Sequence, residues 1–316
     1  MDMKEVLKSY LEHVCGTENV LENEPLSKHT TFRIGGPARF FVTVPSKECL
    51  VRILSALEYI EQKYFILGRG SNVLATDKGF DGVVLKLGFS EIIEQVPIVY
   101  ADAGATLRSV GVFARERGLS GLEWAAGIPA TVGGAVYMNA GAHGGQMSDV
   151  VAMVDALVDG EIRALDTKQC KFGYRKSVFS VRGEGSIILG AYFCLKQSTK
   201  DEILAKEVGI LAKRTTSQPN QPSAGSVFKK PPPRRGTPFI EGGISSGPFY
   251  VGKAIEELGL KGFSVGGAAV SEKHAGFIIN KGGATARDVL KLIRIIRKKV
   301  FEKYGVRLQT EVKMLK

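Results

Sequence analysis

The chain has 316 residues, 44% hydrophobic and 24% charged, ordinary globular proportions that at this length favour two or three domains over a single core. A formal net charge of +11 and a pI near 9.4 point to an anionic partner, either nucleic acid or a polyanionic small molecule. Four scattered cysteines without a C-x-x-C pair and four histidines without ligand spacing exclude a disulfide framework and a zinc ribbon, so no metal is expected.

The N-terminal stretch "MDMKEVLKSYLEHV" carries acidic residues and helical periodicity, unlike a signal peptide, and no later apolar run reaches the roughly 18 residues of a membrane span. "FFVTVP" reads as a strand, "KECLVRILSALEYIEQK" as an amphipathic helix, and "YFILG" as a strand ending on glycine. Short strands follow at "DGVVLKL", "IVYADAG", "AVYMNAG", "VVAMVDALV" and "SIILGAYFCLK", with one helix among them at "TLRSVGVFARERG". This is an α+β pattern and not a regular βαβ series.

A helix at "KDEILAKEVGILAKR" leads into "TTSQPNQPSAGSVFKKPPPRRGTP", a Pro-, Ser- and Lys-rich stretch that reads as a boundary or a functional loop. Beyond it come a helix ("YVGKAIEELG"), a strand ("AGFIIN"), a long basic helix and a last strand ("VRLQTEVKML"). The basic helix has Thr285 as N-cap, Asp288 three residues on, and Gly305 past its end. Its Val289, Leu292, Ile293, Ile296 and Val300 follow core spacing, so the lysines and arginines between them form a solvated face, a reading preferred over a nucleic-acid site.

Glycine is abundant, at 38 residues, and two segments concentrate it. "LGRGSNVL" (67–74) is a glycine turn that taken alone reads first as structural and otherwise as a backbone N–H nest for an anion, and it lacks the dinucleotide fingerprint. "GIPATVGGAVYMNAGAHGG" (127–145) is either a tightly packed loop at a sheet edge or a second backbone cradle for an extended phosphate ligand. Arg175 in "FGYRKSVF" sits between aromatics, stacked or held ready for a carboxylate. Glu311 in "LQTEVKML" alternates with apolar residues and by pattern alone is a solvent-facing strand carboxylate. Ser226 in "AGSVFKK" has no histidine near it in sequence.

Taken together and in this order, "HTTFRIGGPA" (29–38), "GRGSNVL", "GIPATVGGAVYMNAGAHG", "YRKSVF", "PSAGSVFKK", "VGGAAVSEKHAGFIIN" and "LQTEV" resemble the UDP-N-acetylenolpyruvoylglucosamine reductase family of bacterial peptidoglycan precursor synthesis. The resemblance implies a two-subdomain FAD-binding domain of the p-cresol methylhydroxylase/vanillyl-alcohol-oxidase type plus a smaller α+β substrate-binding domain. Carried onto this chain, the FAD domain spans 1–213 (subdomains about 1–76 and 77–213), and the substrate domain 214–316 carries a catalytic Glu on its last strand. It implies non-covalent FAD, NADPH as reductant, UDP-N-acetylglucosamine enolpyruvate as substrate, and a cytoplasmic monomer with neither nucleic-acid nor membrane partner. Arg175, Ser226 and Glu311 fall on the family's catalytic positions. Gly68, Arg69, Gly70, Ser71 and Asn72, with Gly127, Ile128, Pro129, Thr131, Gly133, Gly134, Asn139, Ala140 and Gly141, fall on its flavin cradle. Arg214 and Lys230 are placed against substrate or cofactor phosphates.

The resemblance further implies hydride delivery to C3 of the enolpyruvyl group and protonation at C2. An arginine and a protonated glutamate stabilise the intervening enolate, and a serine hydroxyl supplies the proton. The chain departs from the family pattern at Ala130, where a glycine is common and φ is expected to stay negative, and at Lys230, where asparagine or arginine is frequent. The segment after "YRKSVF" is short, which matches the branch without the long tyrosine loop, and 234–247 reads as added length forming a surface loop. The competing enzyme reading is another FAD oxidoreductase on the same flavin fold.

Overall fold

The computed structural model describes residues 2–95, 98–182, 186–232 and 249–316; the added length at 234–247 falls outside them. The fold is α+β, and the chain divides into two compact units. The first holds residues 1–24, 38–69 and 81–214, the second 25–37, 70–80 and 215–316. Two short segments that a single cut at 213/214 assigns to the front of the molecule thus pack with the C-terminal unit.

In the first unit, strands Val20–Pro25, Pro37–Val44, Phe80–Leu87 and Tyr64–Ile66 lie side by side in that order, accompanied by helices Met3–Cys15 and Lys47–Tyr59. A second, antiparallel sheet runs Glu161–Asp166, Val151–Val158, Ser186–Cys194, Ile98–Asp102, Ile92–Gln95. Apolar side chains of both sheets and their helices share one core, from Leu11 and Phe40 through Val99 and Val136 to Phe193. Lys47, at the start of its helix, reaches the second sheet, bonding Asp102 at 2.8 Å and the Tyr100 hydroxyl at 2.8 Å.

The apolar run in "AVYMNAG", expected as a strand, is the helix Val132–Met138. A run this short does not separate strand from helix by periodicity, and the ends decide. Thr131 caps the helix by accepting from the Gly134 N–H at 3.2 Å, and Asn139 ends it in the left-handed conformation. Ala130 keeps a negative φ, as its missing glycine required.

In the second unit, strands Ser223–Ser226, Phe277–Asn280, Ala268–Val270 and Ser264–Val265 form an antiparallel sheet. The basic helix Ala286–Tyr304 covers it with Val289, Leu292, Ile293, Ile296 and Val300 buried, and its Arg287, Lys291, Arg294, Arg297 and Lys298 exposed. The capping box of Thr285 and Asp288 and the left-handed Gly305 stand as the sequence indicated. The segments 25–37 and 70–80 contribute Phe32, Ile34 and Leu74 to this core. The Asn280 amide donates to Phe32 O at 3.1 Å, and Asp77 accepts from the helix's first N–H groups, Ala286 at 2.6 Å and Arg287 at 3.1 Å. Lys313–Leu315 pairs in parallel with Val73–Ala75.

Candidate active site

Within the first unit the start of the first glycine segment meets the second. A Cβ placed on Gly68 would stand 2.7 Å from the Thr131 hydroxyl, so only glycine lets the first turn approach the cap of the glycine-rich helix. Among the described residues, the backbone N–H groups from Gly68 to Asn72 donate to no protein acceptor. The second segment is less open than its composition suggested. The N–H groups of Val132 and Gly133 are bonded to Ala105 O (2.8 Å) and Ala103 O (2.9 Å), and that of Gly134 is taken by Thr131. Gly133 therefore packs closely on Ala103, where a Cβ would come within 3.0 Å, while the exposed Gly134 has room for one; among the described residues the N–H groups of Gly127 and Thr131 donate to no protein acceptor. Arg214 lies over Gly127, where a Cβ would meet its Nε at 2.8 Å. Burial lowers the Arg214 pKa, and among the described residues no carboxylate pairs with it.

Arg175 is held by the end of the same helix. Its Nη2 donates to Gly141 O at 2.7 Å, and its guanidinium lies 5.3 Å from the Tyr174 ring centre. Asn139, expected against the flavin, spends its side chain inside the protein. Nδ2 donates to Gly173 O at 3.1 Å and to Gln146 Oε1 at 3.3 Å, and Oδ1 accepts from Ser148 N at 3.0 Å. An amide so engaged is a fastening and has no donor to spare for a cofactor.

Within the second unit the fold brings Ser226 and Glu311 onto adjoining stretches of chain. The Glu311 N–H donates to Val227 O at 2.7 Å, the Lys229 N–H donates to Gln309 O at 2.9 Å, and Phe228 bridges Thr310. Glu311 itself precedes the last regular strand, since its N–H goes to Val227 and the parallel ladder begins only at Lys313. Asn72 steadies this segment, with Nδ2 donating to Glu311 O at 3.3 Å while its own carbonyl accepts from Lys313 N at 2.9 Å. Lys230 is exposed, with Nζ 5.5 Å from the Tyr250 ring centre. Sequence reasoning set Ser226 apart from any histidine, yet the fold supplies one: a Cβ on Gly276 would stand 2.9 Å from His274 Cε1 and 3.8 Å from Ser226 Oγ. His274 Nδ1 accepts from Gly276 N at 3.0 Å, which puts the ring proton on Nε2, and burial lowers its pKa so that it is neutral at pH 7. No local pattern announces this neighbour, because a sheet register brings it there.

Two family profiles match the chain: an FAD-binding domain over residues 38–166 and the C-terminal domain of UDP-N-acetylenolpyruvoylglucosamine reductase over residues 218–315. A UDP-N-acetylenolpyruvoylglucosamine reductase from Pseudothermotoga lettingae is 46% identical, over 92% of this chain and 96% of that one. The chain belongs to the UDP-N-acetylenolpyruvoylglucosamine reductase family. A reductase from Caldanaerobacter subterraneus is 41% identical over 99% of both chains. The crystal structure of the Thermus caldophilus reductase superposes with a TM-score of 0.77 at 35% identity, covering 93% of this chain and 98% of that one.

FAD is the cofactor of this family's flavin domain, and the residues present fit it. A pyrophosphate needs several convergent N–H donors, a cation, and backbone free of side chains. The N–H groups of Gly68, Arg69, Gly127 and Thr131 and the half-buried Arg214, which have no protein acceptor or carboxylate partner among the described residues, together with the Gly68–Thr131 approach that a Cβ would fill, provide all three.

Proposed function

We infer that the protein reduces UDP-N-acetylglucosamine enolpyruvate to UDP-N-acetylmuramate, with NADPH as electron source, as a step of peptidoglycan precursor synthesis. It is an FAD-dependent oxidoreductase. Bound FAD supplies the hydride carrier between NADPH and C3 of the enolpyruvyl group. The residues of the chain do the rest. The N–H groups of Gly68, Arg69, Gly127 and Thr131 and the Arg214 guanidinium hold the dinucleotide. Lys230, beside the Tyr250 ring, takes a substrate phosphate.

Addition of hydride at C3 leaves an electron pair at C2, delocalised into the neighbouring carboxylate as an enolate. Arg175 and a protonated Glu311 stabilise the two negative oxygens. The Ser226 hydroxyl gives its proton to C2 and recovers one from solvent; the enolate is basic enough to take it from an alcohol. We place FAD binding in the first unit, substrate binding in the second, and the enzyme in the cytoplasm as a monomer. No helix among the described residues is long and apolar enough to cross a membrane.

The observation that carries this assignment is the 2.7 Å bond from Glu311 N to Val227 O, which sets the acid and the hydroxyl on neighbouring backbones. It is tested by anaerobic stopped-flow of the two half-reactions in Ser226→Ala. Flavin bleaching by NADPH should proceed at the wild-type rate, while reoxidation by the enolpyruvyl substrate slows by about 10² to 10⁴. Equal slowing of both halves means that Ser226 is a loop residue and refutes the proton-donor role.

A further inference from the structure

Arg175 stands in a conformation that its side chain does not favour. It has φ +53, in the left-handed region, inside a tight turn closed by Gly173 N to Lys176 O at 3.0 Å and Lys176 N to Gly173 O at 3.1 Å. A turn with positive φ at its third position suits glycine, and an arginine there persists only when its surroundings over-determine it. Those surroundings are one short segment. Asn139 donates to the carbonyl of Gly173, the first residue of the turn, and the carbonyl of Gly141 receives the Arg175 guanidinium. Just past the turn, the Ser177 hydroxyl donates to Tyr137 O at 2.8 Å. Residues 137–141 thus fasten the turn at its start, at its reactive side chain and beyond its end.

Asn139 is the part of this fastening that no other residue type reproduces. It too is left-handed, at φ +42, which asparagine tolerates better than other side chains. It is 1% exposed, and both of its N–H groups and its carbonyl are engaged. Glycine would accept the backbone conformation and lose the grip on Gly173. Aspartate would keep an acceptor for Ser148 N but set a carboxylate oxygen against the Gly173 carbonyl. We propose that Asn139 is the positioning residue of Arg175, locking the strained turn so that its guanidinium points where the substrate enolate forms. The inference rests on the role given to Arg175 above.

The experiment compares Asn139→Ala, Arg175→Ala and the double variant as holoenzymes, reading FAD bound per chain by absorbance and both half-reactions by anaerobic stopped-flow. Asn139→Ala is expected to keep its full FAD complement and be bleached by NADPH within about 2-fold of wild type. Its reoxidation by the enolpyruvyl substrate should fall on the order of 100-fold, as a misplacement of about 1 Å does. In the Arg175→Ala background the same change should add no more than about 2-fold, because only one unit is being removed. Asn139→Asp, which loses the donors to Gly173 and Gln146 but keeps the acceptor for Ser148 N, should behave as Asn139→Ala does and serves where alanine prevents folding. Loss of FAD or of the fold in both variants, equal slowing of both halves, or effects that multiply in the double variant each overturn the proposal. If Arg175→Ala leaves reoxidation at the wild-type rate, the role of Arg175 falls and the proposal with it. If Arg175→Ala slows that half and Asn139→Ala does not, only the positioning role falls.

Discussion

Replacing Gly68 by alanine tests whether the flavin cradle depends on the contact between the two glycine segments. The new methyl group would stand 2.7 Å from Thr131 Oγ1, closer than real Cβ atoms come, with Thr131 Cβ at an ordinary 3.8 Å. The hydroxyl alone is therefore the obstacle. Relief comes either by rotating Thr131, which breaks its 3.2 Å bond from Gly134 N, or by moving Gly68 and Arg69 away from the helix. The first route loses an N-cap worth about 1 kcal/mol. The second loosens the donors proposed to hold the dinucleotide, at a similar cost. Either way Gly68→Ala should weaken FAD binding by roughly 5- to 30-fold, the factor that 1–2 kcal/mol corresponds to. Flavin titration of apoprotein and thermal melting read the two routes separately, since only the first lowers the melting temperature of the apoprotein. In a Thr131→Ala background the obstacle is gone, so Gly68→Ala should then cost almost nothing more. Wild-type FAD affinity in Gly68→Ala, or additive effects in the double variant, would refute the contact as the reason for glycine at this position.

Lys47→Met should destabilise the first unit by about 2–3 kcal/mol, below the 3–5 typical of a broken buried pair, because Lys47 is one-third exposed and Asp102 keeps its bonds from Tyr100 and Glu91 N. Urea titration measures it. Hydrogen bonding from Lys47 to Asp102 and Tyr100 outweighs burial and raises the Lys47 pKa above 10.5, so its contribution is full below that pH and is lost as pH rises beyond it; a gap between wild type and variant that widens above pH 10.5 refutes the pairing. Arg214→Ala should raise the FAD dissociation constant about 10- to 150-fold, the range of a charge-assisted hydrogen bond of 1.5–3 kcal/mol, as read by flavin release on dilution. If FAD retention and the Michaelis constant for the UDP-sugar both stay at wild-type values, Arg214 only packs on Gly127.

The sequence carried some of this structure openly. The helix Ala286–Tyr304 could be read to its ends, because its capping box, its apolar period and its terminal glycine agree. The helix Val132–Met138 could not, since its few apolar residues satisfy either period and the deciding bonds at Thr131 and Asn139 are polar and local. The site shows the same division. Glycine content marked both loops, but which N–H groups stay uncommitted depends on Ala103 and Ala105, which sequence gives no reason to pair with them. Asn72 and Asn139 stand in flavin-loop motifs, yet their amides grip Glu311 O and Gly173 O, partners fixed by tertiary structure alone. His274 joins Ser226 only through the pairing of Ser223–Ser226 with Phe277–Asn280.

The return of residues 25–37 and 70–80 to the C-terminal unit sets an order on synthesis. Phe32, Ile34 and Leu74 leave the ribosome long before the strand Phe277–Asn280 and the helix Ala286–Tyr304 that bury them. At about 5–20 residues per second, those apolar side chains wait on the order of 10–50 s for their partners. During that interval the front of the chain has unsatisfied hydrophobic surface within its own sequence, open to chaperones and to wrong neighbours. A nascent chain halted short of Asn280 keeps that surface bare, and a fragment that starts at Thr215 lacks three of the side chains on which its own core closes.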